Sequence, residues 1–167
     1  DPTITKLVYL SIEPSSSKII SGDYVTYTIT YRNESTVKIV SPTLVFSLPV
    51  GFILDQVEPN EQFNVAEQKF NLPNLTPNQE NSIKISGWFY GTPNEENKIT
   101  TILEYTQEGK RNRETKSTPL FQFHRGSVLT GTMTVPEKLI AAGSTQIKIT
   151  LTNSGKRALD IISLPLT

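Results

Sequence analysis

The chain contains no cysteine, one methionine and a single histidine, His124. Without cysteine there are no disulfides and no thiolate metal sites, so the fold must be held by its apolar core. A zinc site built on histidines cannot form from one imidazole, and the neighbours of His124, Phe123 and Arg125, suit a linker better than a catalytic base. Net charge is missing as well: 16 basic residues balance 16 acidic ones in 167. That removes the electrostatic ground for binding nucleic acid or an anionic membrane. No apolar run approaches the roughly 18 residues that span a bilayer, so direct membrane insertion is not expected. A P-loop, a dinucleotide fingerprint, a nucleophile elbow and a metalloprotease helix are all lacking. The expectation is a non-enzyme with no catalytic, cofactor-binding or metal residues and no cofactor. The chain starts at Asp1, and we read it as a mature or excised segment.

What is present is alternation. Tyr24–Arg32 places Val25, Tyr27, Ile29 and Tyr31 on one side and threonines with Arg32 on the other, the period of a half-buried strand. Further strands are predicted at Ile4–Ile12, Lys38–Ser47, Phe52–Val57, Phe63–Ala66, Ser82–Tyr90 and Lys98–Gln107. Turn clusters rich in Pro, Asn, Gly and Ser separate them, among them Glu13–Ser17, Asn33–Ser35, Pro49–Gly51, Glu58–Asn60 and Thr92–Asn94. Lys110-Arg111-Asn112-Arg113 follows Gly109 and reads as a solvated hairpin tip. The inward set is Val25, Tyr27, Ile29, Tyr31, Leu44, Phe46, Ile83, Ile85, Gly87, Phe89, Ile99, Thr101, Leu103 and Tyr105. The strand count is that of an immunoglobulin-like sandwich. Leu120–His124 supplies a last strand, and Gly126 a joint.

Beyond that joint the pattern restarts. Lys138-Leu139-Ile140 echoes Lys18-Ile19-Ile20, Ile149-Thr150 echoes Ile29-Thr30, and Asn153 echoes Asn33. The fold class expected is therefore all-β: an Ig-like antiparallel β-sandwich over residues 1–125, then the first strands of a second, similar sandwich over 126–167. The second copy is too short to close on itself, so it is either truncated or completed by another chain.

The phrase from Gly22 to Asn33, followed by Leu48-Pro49-Val50-Gly51-Phe52, resembles a conserved repeat domain of unknown function found in bacterial and archaeal cell-surface proteins. Leu72–Pro77 ahead of Ile83 is similar to that family's stretch before its penultimate strands. The likeness spans most of residues 5–106 and part of 127–167. Glu34-Ser35 departs from the family's Gly-containing turn, whereas Asn153-Ser154-Gly155 fits it. The resemblance implies Ig-like sandwiches, export and tandem arrays on the cell envelope, and no catalytic residues.

The function expected is a structural segment of a large exported surface protein, a stalk, coat or fibre. Its partners would be neighbouring copies or domains of the same assembly. An alternative is an adhesive or carbohydrate-binding module using surface aromatics, Trp88 and Tyr90; a weaker one is an accessory domain of a secreted hydrolase. Asn33-Glu34-Ser35 and Asn74-Leu75-Thr76 are glycosylation sequons, making Asn33 and Asn74 candidate acceptors. Acidic residues gather at Asp55, Glu58 and Glu61 and at Glu95 and Glu96, without the Asp-x-Asp spacing of a calcium cage.

Overall fold

The computed structural model describes residues 7–90, 96–127, 129–136, 143, 144, 146–153 and 158. Its strands are β1 (Val8–Pro14), β2 (Ile19–Ser21), β3 (Tyr24–Asn33), β4 (Ile39–Phe46), β5 (Phe52–Glu58), β6 (Phe63–Asn64), β7 (Lys69–Asn71), β8 (Glu80–Phe89), β9 (Glu96–Gln107), β10 (Arg113–Ser127), β11 (Leu129–Thr134) and β12 (Lys148–Asn153). There is no α-helix among the described residues, only a 3-10 turn at Asn60–Gln62.

One sheet has the order β1-β3-β8-β5 and the other β2-β10-β9-β4-β7-β6. The first matches the ABED sheet of an immunoglobulin sandwich, and β10-β9-β4 matches its GFC sheet. Pairing is antiparallel except where β2 lies parallel to the end of β10. The two inner faces enclose one cluster of buried residues. Every apolar side chain named above as inward from the sequence is buried, with Thr101 among them. Burying such side chains contributes roughly 1.5–3 kcal/mol each.

Gly87 sits in the apolar row of β8 because β5 passes close beside it. A Cβ there would overlap the Ile53 carbonyl oxygen and press on the Phe52 ring. The space left by the missing side chain lets Phe52 reach Tyr27, with ring centroids 5.5 Å apart.

Several boundaries differ from the sequence expectation, each for a local reason. β1 runs on through Pro14, which the turn pattern had claimed; it is an edge strand at that end, where a missing N–H is tolerated. The residues before Leu7, including Ile4, lie outside the described ones, as do the turn Thr92–Asn94 and Glu95. β2 is three residues long, too short for alternation to reveal it. The strand expected at Phe63–Ala66 is instead two short strands, β6 and β7. Asn64 Oδ1 accepts from the N–H groups of Ala66 and Glu67 and turns the chain after two residues. Leu120–His124 is only part of β10, a strand of 15 residues that starts at Arg113 and passes through the expected joint, Gly126.

Pro119 inside β10 is tolerated for a geometric reason. Its partner Thr100 directs both backbone groups toward Ser47, donating to Oγ at 2.9 Å and accepting from N–H at 2.9 Å. Pro119 and Thr100 are therefore a non-hydrogen-bonded pair, and the proline nitrogen faces the open side of β10.

β11 and β12 form a separate two-stranded sheet. Leu129 stands opposite Asn153, as Val8 stands opposite Asn33, and both ladders continue in antiparallel register from there. One residue, Val128, separates β10 from β11. The segment Lys138–Ile140 lies outside the described residues, as do residues 159–167.

Candidate functional site

The outer face of the β1-β3-β8-β5 sheet carries a row of large side chains. Register places Tyr24 of β3, Trp88 of β8 and Ile53 of β5 side by side. The Tyr24 and Trp88 rings meet edge to face at 4.9 Å and 70°, the geometry their quadrupoles favour. Trp88 is half-buried, Tyr24 is 39% exposed and Ile53 is 56% exposed. Tyr90, two residues beyond Trp88, shares its side of the strand by alternation. Its backbone N–H donates to Gly51 O at 2.9 Å, holding the end of β8 against the turn before β5.

Polar groups border this platform. Tyr24 OH donates to Asp55 Oδ2 at 3.0 Å. Thr26 Oγ1 and Ser86 Oγ share a hydrogen bond of 2.8 Å in the next row. Asp55 is available because the β5–β8 register slips between Leu54 and Gln56, a bulge that turns the carboxylate outward. Tyr24 has its pKa raised, by burial first and then by the Asp55 hydrogen bond and charge. An apolar plate beside a carboxylate and two hydroxyls can stack on one face of a sugar ring and accept from its hydroxyls. Alternation singled out Trp88 and Tyr90; Tyr24, Ile53 and Asp55 were missed, since only cross-strand register brings them together.

The two sequons have different fates. Asn33 is 0% exposed. Its Nδ2 donates to Val37 O at 2.9 Å and Leu75 O at 3.1 Å, while its Oδ1 accepts from Ser35 N–H at 2.9 Å and Ser35 Oγ at 2.7 Å. The folded chain leaves no accessible amide for a glycan there, which corrects the expectation for Asn33. The residue is instead a pin that ties the end of β3 to the chain before β4 and before β8.

Asn74 is exposed. Its Oδ1 accepts from Ser41 N–H at 2.9 Å, and no described residue accepts from its Nδ2. Ser41 has φ of 49°, an uncommon conformation for a side-chain-bearing residue. The β4 bulge it belongs to is clamped from the other side by Arg113, whose guanidinium donates to Ser41 O at 3.1 Å and Thr43 Oγ1 at 2.8 Å. Arg113 thus does more than solvate a hairpin tip.

Among the described residues no group of three His, Cys, Asp or Glu gathers to hold a metal. Glu58 lies 3.8 Å from Lys84 and accepts from Gln56, so its carboxylate serves the sheet surface. His124 falls in β10 opposite Ile19.

No family model matches the chain, and no curated protein does. Solved structures do resemble it. A bacterial hydrophobin, BslA, is 14% identical with a TM-score of 0.50, covering 71% of this chain and 95% of its own. The GAE domain of yeast GGA1 is 18% identical with a TM-score of 0.45, covering 69% of this chain and 92% of that one. The cupredoxin domain of amoB from Nitrosocaldus yellowstonii is 10% identical with a TM-score of 0.42, covering 83% and 95%. At 14% identity the likeness to BslA speaks for the fold alone.

Proposed function

We propose that this chain is a structural segment of an exported cell-surface protein, built from tandem Ig-like modules that act as a stalk, coat or fibre. The observation that carries the proposal is the shared register of β1–β3 and β11–β12, each closing on an asparagine, Asn33 or Asn153. One supersecondary unit used twice within a chain is the mark of an array, which gains length by repetition. The partners are then neighbouring modules and copies, and no chemistry is asked of the segment. The test is location. Antibody against the sandwich should label intact cells of the source organism without permeabilisation. Labelling that requires permeabilised cells would refute the proposal.

A second function, glycan adhesion, is favoured by one specific observation: the plate of Tyr24, Trp88 and Ile53 beside Asp55. Trp88 is the only tryptophan, so saccharide binding would change its fluorescence directly. A response on a glycan array that Trp88→Ala abolishes supports adhesion, and a flat response with every saccharide refutes it.

A further inference from the structure

We propose that the cleft between β5 and β6 is a docking site for a lysine side chain presented by a partner peptide. The cleft opens on the flank of the sandwich where an edge strand of each sheet lines it. It encloses about 310 Å3, and its lining comes from one continuous described stretch, residues 54–65, so every wall is in place. Leu54, Val57, Phe63 and Val65 supply the apolar walls. β6 is only two residues long, because Asn64 turns the chain, and so this side of the core stays open. Val57 belongs to the buried core, and Leu54 and Phe63 pack against it, the Phe63 ring centroid 4.7 Å from that of Phe70. The floor is thus preformed, while Val65, 73% exposed, stands at the rim.

Apolar walls alone would suit any aliphatic group, and the polar atoms narrow the choice. Asp55 Oδ2 is taken by Tyr24 OH, which leaves Oδ1. Gln56 Nε2 donates to Glu58 Oε1, so its own Oε1 remains as an acceptor. Asn60 adds an amide oxygen. The lining thus offers a carboxylate and two amide oxygens, and it holds no cationic group. Among the described residues no lysine or arginine forms an ion pair with Asp55, or with Glu61 on the adjoining 3-10 turn. A lysine matches this arrangement. Its methylene stem lies along apolar walls while the charged head stays at the mouth, and its ammonium brings three donors and no acceptor to the three oxygens. A purely apolar group would strip water from Asp55 without pairing it, and an anion would be repelled.

The experiment titrates the isotopically labelled whole chain with Nα-acetyl-lysine N-methylamide and follows its amide resonances. Saturable shifts should centre on residues 54–65. The same compound with norleucine in place of lysine should bind about tenfold or more weakly. The arginine analogue should also bind more weakly, because Tyr24 OH competes for the Oδ2 that the second arm of a guanidinium needs. Asp55→Asn should raise the lysine dissociation constant about tenfold. Val65→Lys, at an exposed position, should weaken binding by repulsion without touching the core. Melting of both variants, followed by Trp88 fluorescence, shows that the sandwich is folded. No saturable shift at residues 54–65, a norleucine analogue that binds as tightly, an arginine analogue that binds more tightly, or variants that bind like the parent would each overturn the proposal. None of these results bears on the cell-surface assignment, which labelling of intact cells decides.

Discussion

Replacing Asn33 by alanine should be among the most costly single changes in the first sandwich. Two of the orphaned partners have alternatives: Leu75 O still accepts from Ile39 N–H at 2.9 Å, and Val37 O from Ser35 Oγ at 2.9 Å. The Ser35 N–H is left buried with nothing to donate to, since Asn33 Oδ1 is its acceptor. The unsatisfied Ser35 donor costs about 1–3 kcal/mol, and with the other partners re-satisfied elsewhere the remaining loss is about 1 kcal/mol net, so the total should be about 3 kcal/mol. In a chain of this size that lowers the melting temperature by about 6–12 °C. Asn33→Asp sharpens the test. It keeps the shape and the acceptor but turns a carboxylate toward two carbonyl oxygens. Burial and those carbonyls favour the neutral acid, so its folded pKa would rise above the unfolded one. The variant should therefore come closest to the parent at low pH and lose stability as pH rises through the folded pKa. Urea titrations of both variants at several pH values supply the numbers. A loss below about 1 kcal/mol for Asn33→Ala, or an Asn33→Asp variant that gains stability with rising pH, would show that the asparagine is not a pin.

Three further outcomes are expected. Gly87→Ala should cost at least about 3 kcal/mol, because the new methyl meets the Ile53 backbone rather than a side chain able to move; a urea midpoint near that of the parent would contradict the close approach of β5. Tyr27 OH donates to Gln122 Oε1 within the core, and Gln122 Nε2 has no partner among the described residues. Tyr27→Phe alone should therefore destabilise by about 1–2 kcal/mol, and Tyr27→Phe with Gln122→Leu should recover most of it, as chemical denaturation of both variants would reveal. Tyr105 is pushed up to about 12 from its ordinary 10.0, chiefly by burial and then by Glu114. A pKa raised by folding means its contribution is intact below pH 10 and disappears as pH climbs toward 12. Stability should fall across that window, less steeply in Tyr105→Phe, and urea midpoints that stay level would count against it.

The layers and the core of the first sandwich were legible because alternation is a backbone rule: along β3, β8 and β9 the residues at every second position, Val25 to Tyr31, Ile83 to Phe89 and Ile99 to Tyr105, are inside. The signal fails for segments barely longer than one period, so β2 and β7, three residues each, escaped notice. It fails again where hydrogen bonding by one side chain sets the path, as Asn64 does between β6 and β7. Charge in sequence misled at Arg113, because two of its acceptors, Ser41 O and Thr43 Oγ1, belong to β4, far away along the chain. The aromatic plate was half visible: Trp88 stood out on a polar face, but Tyr24 and Ile53 join it only through register. Asn33 advertised two roles, a sequon and a turn residue, and burial decided between them.

Pro119, on the flank of β10 away from β9 and before the stretch that pairs with β2, has a consequence for crowded conditions. An incoming strand that tried to zip along this flank would find a donor missing at the proline. On the opposite layer, β5 pairs only with β8, and its bulge at Asp55 spoils that rim as a template. Molecules packed densely side by side should therefore find these two edges poor templates for fusing into one continuous ribbon.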